Sequence, residues 1–170
     1  MAEDALDIDR YEAYSIVMWV RPDTTLKQNI FAVKEDITDP PNDYSHMLVI
    51  EEGKFLYVSG LEQEPGNYNE EFLECFSSTK LQAGRWYHVA VTVEAGKNAC
   101  IFINGNADGK VVVPNGFAGL WGVVYINPPD EDGDIEGKVP SFRGAVDEFT
   151  IFRKALSEEQ IRQMYLSVRQ

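Results

Sequence analysis

Short apolar runs alternate with turn signals along most of the chain, and only the last segment carries a helical period, which together predict a β-sandwich closed by one helix. Residues 14–20, Tyr-Ser-Ile-Val-Met-Trp-Val, set Ile16, Met18 and Val20 on one alternating face and Val17 and Trp19 on the other, the pattern of a strand covered on both sides. Further strands are predicted at residues 30–33, 46–50, 55–59 and 72–77, with Glu52-Gly53-Lys54 turning between the second and third of these and His46 at the start of one. Residues 86–93 place Tyr87, Val89, Val91 and Val93 on one face and Trp86, His88, Ala90 and Thr92 on the other. A turn at Ala95-Gly96-Lys97-Asn98 returns into residues 99–103, and Asn104-Gly105 then marks a second hairpin, because both residues tolerate positive φ. Strands at 120–126 and 145–152 complete the β part. Residues 35–44, 62–69 and 127–141 are polar, have no period and read as surface connections.

The end of the chain predicts its own helix. Ser157 has the chemistry of an N-cap, Gln160 completes a capping box, and Leu156 with Ile161 forms a hydrophobic staple. Ile161, Met164, Tyr165 and Val168 then fall on one stripe, so the helix is expected to plug an open end of the sandwich.

Composition changes this picture little: the 170 residues, 44% apolar and 12% aromatic, suit one globular domain spanning the whole chain. Charge changes it more. A net charge of −13 repels phosphate backbones and anionic bilayers, which argues against nucleic acid as a partner, and it leaves carboxylates free for a hard cation. No apolar run reaches the ~20 residues of a membrane span, and Met1-Ala2-Glu3-Asp4 is not followed by an export pattern; a segment of a larger secreted chain would read the same way. Cys75 and Cys100 fit either two free thiols or one disulfide, with the free pair expected.

Three phrases, residues 14–23, 84–109 and 142–165, together resemble the signature blocks of laminin G-like domains, the concanavalin A-like jelly-roll family. The resemblance lies in Trp86-x-His88-Val89-Ala90, in a strand ending at Asn104-Gly105, in Gly144-x-x-Asp147-Glu148-x-x-x-Phe152 and in Ala155-Leu156-Ser157-x-Glu159-x-Ile161. It implies two antiparallel sheets face to face with one short C-terminal helix, and a strand before residues 4–9 that is trimmed here or an edge filled differently. The resemblance also implies a non-catalytic binding or adhesion module for a glycan or an extracellular protein, at the cell surface or outside the cell and within a larger multidomain chain. Two alternatives stay open: a glycan-cleaving enzyme and a structural domain without a ligand.

The candidate residues follow from these alternatives. Related glucanases display Glu-x-Asp-x-x-Glu on one strand so that acid and nucleophile share a face, and that phrase is absent here; Asp147 and Glu148 are adjacent and are expected on opposite faces. Sugar recognition needs aromatic platforms with amides and carboxylates nearby, which singles out Tyr44, Tyr68, Trp121 and Tyr125, with Asn42, Asp43, Asn67 and Asn69 close in sequence. Trp19 and Trp86 are expected to be packing residues, and His88 a hydrogen-bonded core residue. Calcium is the expected cofactor. Asp130, Asp132 and Asp134 alternate around Gly133 as in a calcium loop, although Ile135 and Ser141 stand where Gly and Glu would complete it. Asp147 is a separate calcium candidate, through the resemblance.

Overall fold

In the computed structural model, which describes residues 6–34, 44–64, 67–115, 119–128 and 139–168, the alternating runs become strands β1 (Leu6–Tyr11), β2 (Ala13–Pro22), β3 (Gln28–Lys34), β4 (Tyr44–Glu51), β5 (Lys54–Glu64), β6 (Asn67–Phe76), β7 (Tyr87–Glu94), β8 (Asn98–Ile103), β9 (Asn106–Val112), β10 (Leu120–Ile126) and β11 (Gly144–Phe152), with helix α1 (Glu158–Ser167) last. They form a six-stranded sheet in the order β1-β10-β3-β4-β5-β6 and a five-stranded sheet in the order β11-β2-β7-β8-β9. All the ladders are antiparallel. The expected all-β jelly-roll sandwich with one short C-terminal helix is therefore the fold.

Register decides what each run buries. Tyr14, Ile16, Met18 and Val20 of β2 stand opposite Val93, Val91, Val89 and Tyr87 of β7, and all eight point between the sheets against Phe31, Leu48, Phe55 and Tyr57. Burying each such side chain contributes about 1.5–3 kcal/mol. The sheets also touch at a corner, where Gly109 of β9 lies so close to the Phe76 carbonyl of β6 that a Cβ would sit 2.1 Å from that oxygen.

Both sheets carry apolar residues on their outer faces as well, and both are covered. On the six-stranded sheet, Ala32, Met47, Val49, Leu56 and Val58 are buried, and Val139 packs against them. On the five-stranded sheet, Val17, Ala90 and Phe102 are buried under Leu156, Ile161 and Met164. Here the expectation of a helix plugging an open end is corrected: α1 lies across the outer face of the five-stranded sheet, where Leu156, Ile161 and Met164 dehydrate Val17, Ala90 and Phe102. Its cap forms as read, with the Ser157 side chain accepting from the Gln160 amide and the Gln160 side chain accepting from the Ser157 amide.

Three further expectations change. The polar stretch 62–69 is not a loop throughout, since β5 runs to Glu64 and β6 resumes at Asn67 with Glu62 opposite Tyr68. A ladder with polar residues on both faces leaves no alternation to read. Trp86 precedes β7, is 40% exposed and carries the Arg21 guanidinium 5.6 Å above its ring. Asp147 and Glu148 do not point to opposite faces: Asp147 is opposite Trp19 and Thr150 is opposite Val17, so a bulge lies between them and brings both carboxylates to the outer side. Glu148 occupies the left-handed region at φ 52°, and its amide donates to Asp147 Oδ1. The two cysteines are free, as expected.

Candidate binding face

Chain reversal at the β4–β5 turn makes one end of the six-stranded sheet collect several elements. β3 ends there at Lys34, β4 begins there at Tyr44, β5 ends there, β6 begins there, and β10 starts there at Leu120. Tyr44 is paired with Lys34, Tyr68 with Glu62, and Trp121 lies two residues before Val123, which pairs with the other side of Lys34. Three of the four predicted aromatic positions, drawn from β4, β6 and β10, thus arrive at the same end of one sheet. Tyr125 lies further along β10, opposite Ala32, which is opposite Met47; that row belongs to the outer face, and Tyr125 is half-buried on it. Asn67 and Asn69 stand beside Tyr68 in β6, whereas Asn42 and Asp43 lie outside the described residues.

The calcium candidates divide in the same way. Asp130, Asp132 and Asp134 lie outside the described residues. Asp147 is exposed on the edge strand β11, and among the described residues no three His, Cys, Asp or Glu side chains converge to hold an ion.

Sequence reading missed His46. It is fully buried between the sheets: its Nε2 lies 2.6 Å from the Gly119 carbonyl and its Nδ1 3.0 Å from the Tyr57 hydroxyl, which in turn bonds the Tyr14 hydroxyl. A carbonyl can only accept, so Nε2 carries the hydrogen and Nδ1 accepts from Tyr57. Burial lowers the His46 pKa to about 4, opposed by the bond to Gly119, and burial raises both tyrosines. This buried triad is a pin between β2, β4, β5 and the start of β10. Its only sequence signal was parity, since His46 shares a face with Leu48 and Ile50.

A family model described as the concanavalin A-like lectin/glucanases superfamily matches residues 3–162. The chain belongs to that superfamily. Among solved structures, this superfamily member is similar to domain 4 of AbnA, a GH43 extracellular arabinanase from Geobacillus stearothermophilus, in complex with arabinotriose, with 22% identity, a TM-score of 0.66 and coverage of 95% of this chain and 71% of that one. It is also similar to a native heptameric SAP-like pentraxin from Limulus polyphemus, with 16% identity, a TM-score of 0.63 and coverage of 96% and 73%. The botulinum neurotoxin serotype C1 binding domain matches at 17% identity and a TM-score of 0.64 over 92% of this chain, which spans about a third of that domain, at 36%. These likenesses show the lectin-like jelly-roll fold. No curated protein matches the sequence. Among the described residues, no helix is long and apolar enough to cross a membrane.

Proposed function

We propose that this chain is a non-catalytic binding module in an extracellular or cell-surface setting, part of a larger protein, and that its ligand is a glycan bound at the end of the six-stranded sheet where Tyr44, Tyr68 and Trp121 arrive. The observation carrying this reading is that three aromatic positions, from β4, β6 and β10, lie at the same end of one sheet, with Asn67 and Asn69 beside Tyr68 in sequence. Aromatic rings take the apolar face of a pyranose, and amides pair with its hydroxyls. The fold shared with an arabinanase domain solved with arabinotriose supports the ligand class. The reading as a binder and not a glycan-cleaving enzyme rests on the missing Glu-x-Asp-x-x-Glu phrase.

A glycan array followed by calorimetry tests this. Binding of at least one glycan, weakened about tenfold or more by Tyr44→Ala or Trp121→Ala, is the expected result. An empty array with capture of a defined extracellular protein would move the ligand class to protein. Release of reducing ends from a polysaccharide panel would replace the reading with catalysis.

A further inference from the structure

Away from that sheet end, a cleft of about 370 Å³ opens over the outer face of the five-stranded sheet, between the β11 bulge and the last turn of α1. That volume lies within the ~300–1,000 Å³ range of small-molecule sites. Its floor is Val17, Trp19 and His88, its wall is Met164 and Val168, and Glu148 and Thr150 stand on its rim. The floor is unusual in its polar chemistry. Trp19 and His88 lie edge to face with ring centroids 5.2 Å apart, and Trp19 Nε1 and His88 Nδ1 are both buried without a hydrogen-bond partner among the described residues. His88 is buried as the core reading expected, at 2% exposure, yet its Nδ1 has no hydrogen-bond partner among the described residues, and its ring packs on Tyr165 of α1.

An unpaired buried polar atom carries a desolvation cost, so two neighbouring ones leave a deficit that a bound group can remove. The indole Nε1 is a donor only. A neutral imidazole Nδ1 donates or accepts according to its tautomer. Burial lowers the His88 pKa to about 4, so the ring is neutral near pH 7. A hydroxyl answers both partners, since it accepts from the indole and pairs with either state of Nδ1. The remaining surface asks for an apolar face against Val17 and Met164 and for hydroxyls that donate to the Glu148 carboxylate. We infer that this cleft is a second ligand site, separate from the sheet end, for a single cyclic polyol unit such as a pyranose, with one hydroxyl seated between Trp19 Nε1 and His88 Nδ1.

Reaching the two floor nitrogens requires movement at the end of α1, where the Tyr165 ring packs 5.9 Å from Trp19 and 5.8 Å from His88. Leu156 and Ile161 anchor its start at 7% and 0% exposure, whereas Leu166 and Val168 near its end are 43% and 48% exposed.

The test is a proton–nitrogen NMR titration of the intact chain with methyl pyranosides of several hexoses and of arabinose. The chain has three tryptophans, and Trp19→Phe and Trp121→Phe assign their indole signals. The expected result is a saturable movement of the Trp19 indole signal by at least one sugar, with affinity reduced about fivefold or more in Glu148→Gln. Glu148 is exposed, so that variant keeps the fold. Movement of the Trp121 signal alone would place sugar at the sheet end and overturn the cleft site while leaving the proposed function standing. A Trp19 signal that no sugar moves, or one that moves equally in Glu148→Gln, overturns the inference, and a free-protein signal already shifted as for a hydrogen-bonded indole would show that water suffices.

Discussion

Acid should unfold this protein through its buried imidazoles, and His46 gives the sharpest case. Burial holds its folded pKa at about 4, against 6.5 for the exposed side chain. As pH falls below 6.5 the unfolded chain binds the proton first, so stability is full above that value and is lost progressively until the folded form also protonates near pH 4. The complete loss for a shift of that size is about 3 kcal/mol, and about 2 kcal/mol of it has gone by pH 5. Protonation would also put a second donor on the ring where Nδ1 now accepts from Tyr57. Urea unfolding at a series of pH values between 7.5 and 4.5 measures the slope. His46→Gln keeps a donor for the Gly119 carbonyl and removes the titration; its stability at neutral pH falls, but its loss between pH 7 and pH 5 should be smaller than that of the parent chain by about 2 kcal/mol. His88, also lowered by burial, adds to the parent slope in the same direction. Equal slopes in the parent and His46→Gln would refute the reasoning.

Other perturbations probe other parts of the fold. Gly109→Ala would drive a methyl into the Phe76 carbonyl, so the strands must part at the corner between the sheets; a loss of about 1–3 kcal/mol or more in chemical denaturation is expected. Ser157→Ala removes one half of the capping box and should cost about 1 kcal/mol by the same measurement, with Ser157→Asp restoring most of it. The calcium expectation rests on Asp130, Asp132 and Asp134 and, separately, on Asp147; calcium at millimolar concentration should raise the melting temperature and a chelator should reverse this, and an unchanged melting curve removes calcium from the account.

The local parts of this structure were legible in the sequence because their causes are local. Alternation along 14–20 and 86–93 fixed which side chains share a face, Asn104-Gly105 fixed a hairpin through backbone sterics, and Ser157 with Gln160 fixed the start of α1 through two hydrogen bonds three residues apart. Of the candidate site, the residue types were readable and their placement at one sheet end was not. Tyr44, Tyr68 and Trp121 come from strands that are far apart in sequence and share a sheet end only through strand order. Tertiary structure alone decided the rest: that α1 lies on a sheet face, that His46 closes a triad with Tyr14 and Tyr57, and that a bulge turns Asp147 and Glu148 to one side above Trp19 and His88. Alternation says only that a strand has two faces; what covers each face is set by pairings between distant segments, whose energy lies in contacts that no short window of sequence contains.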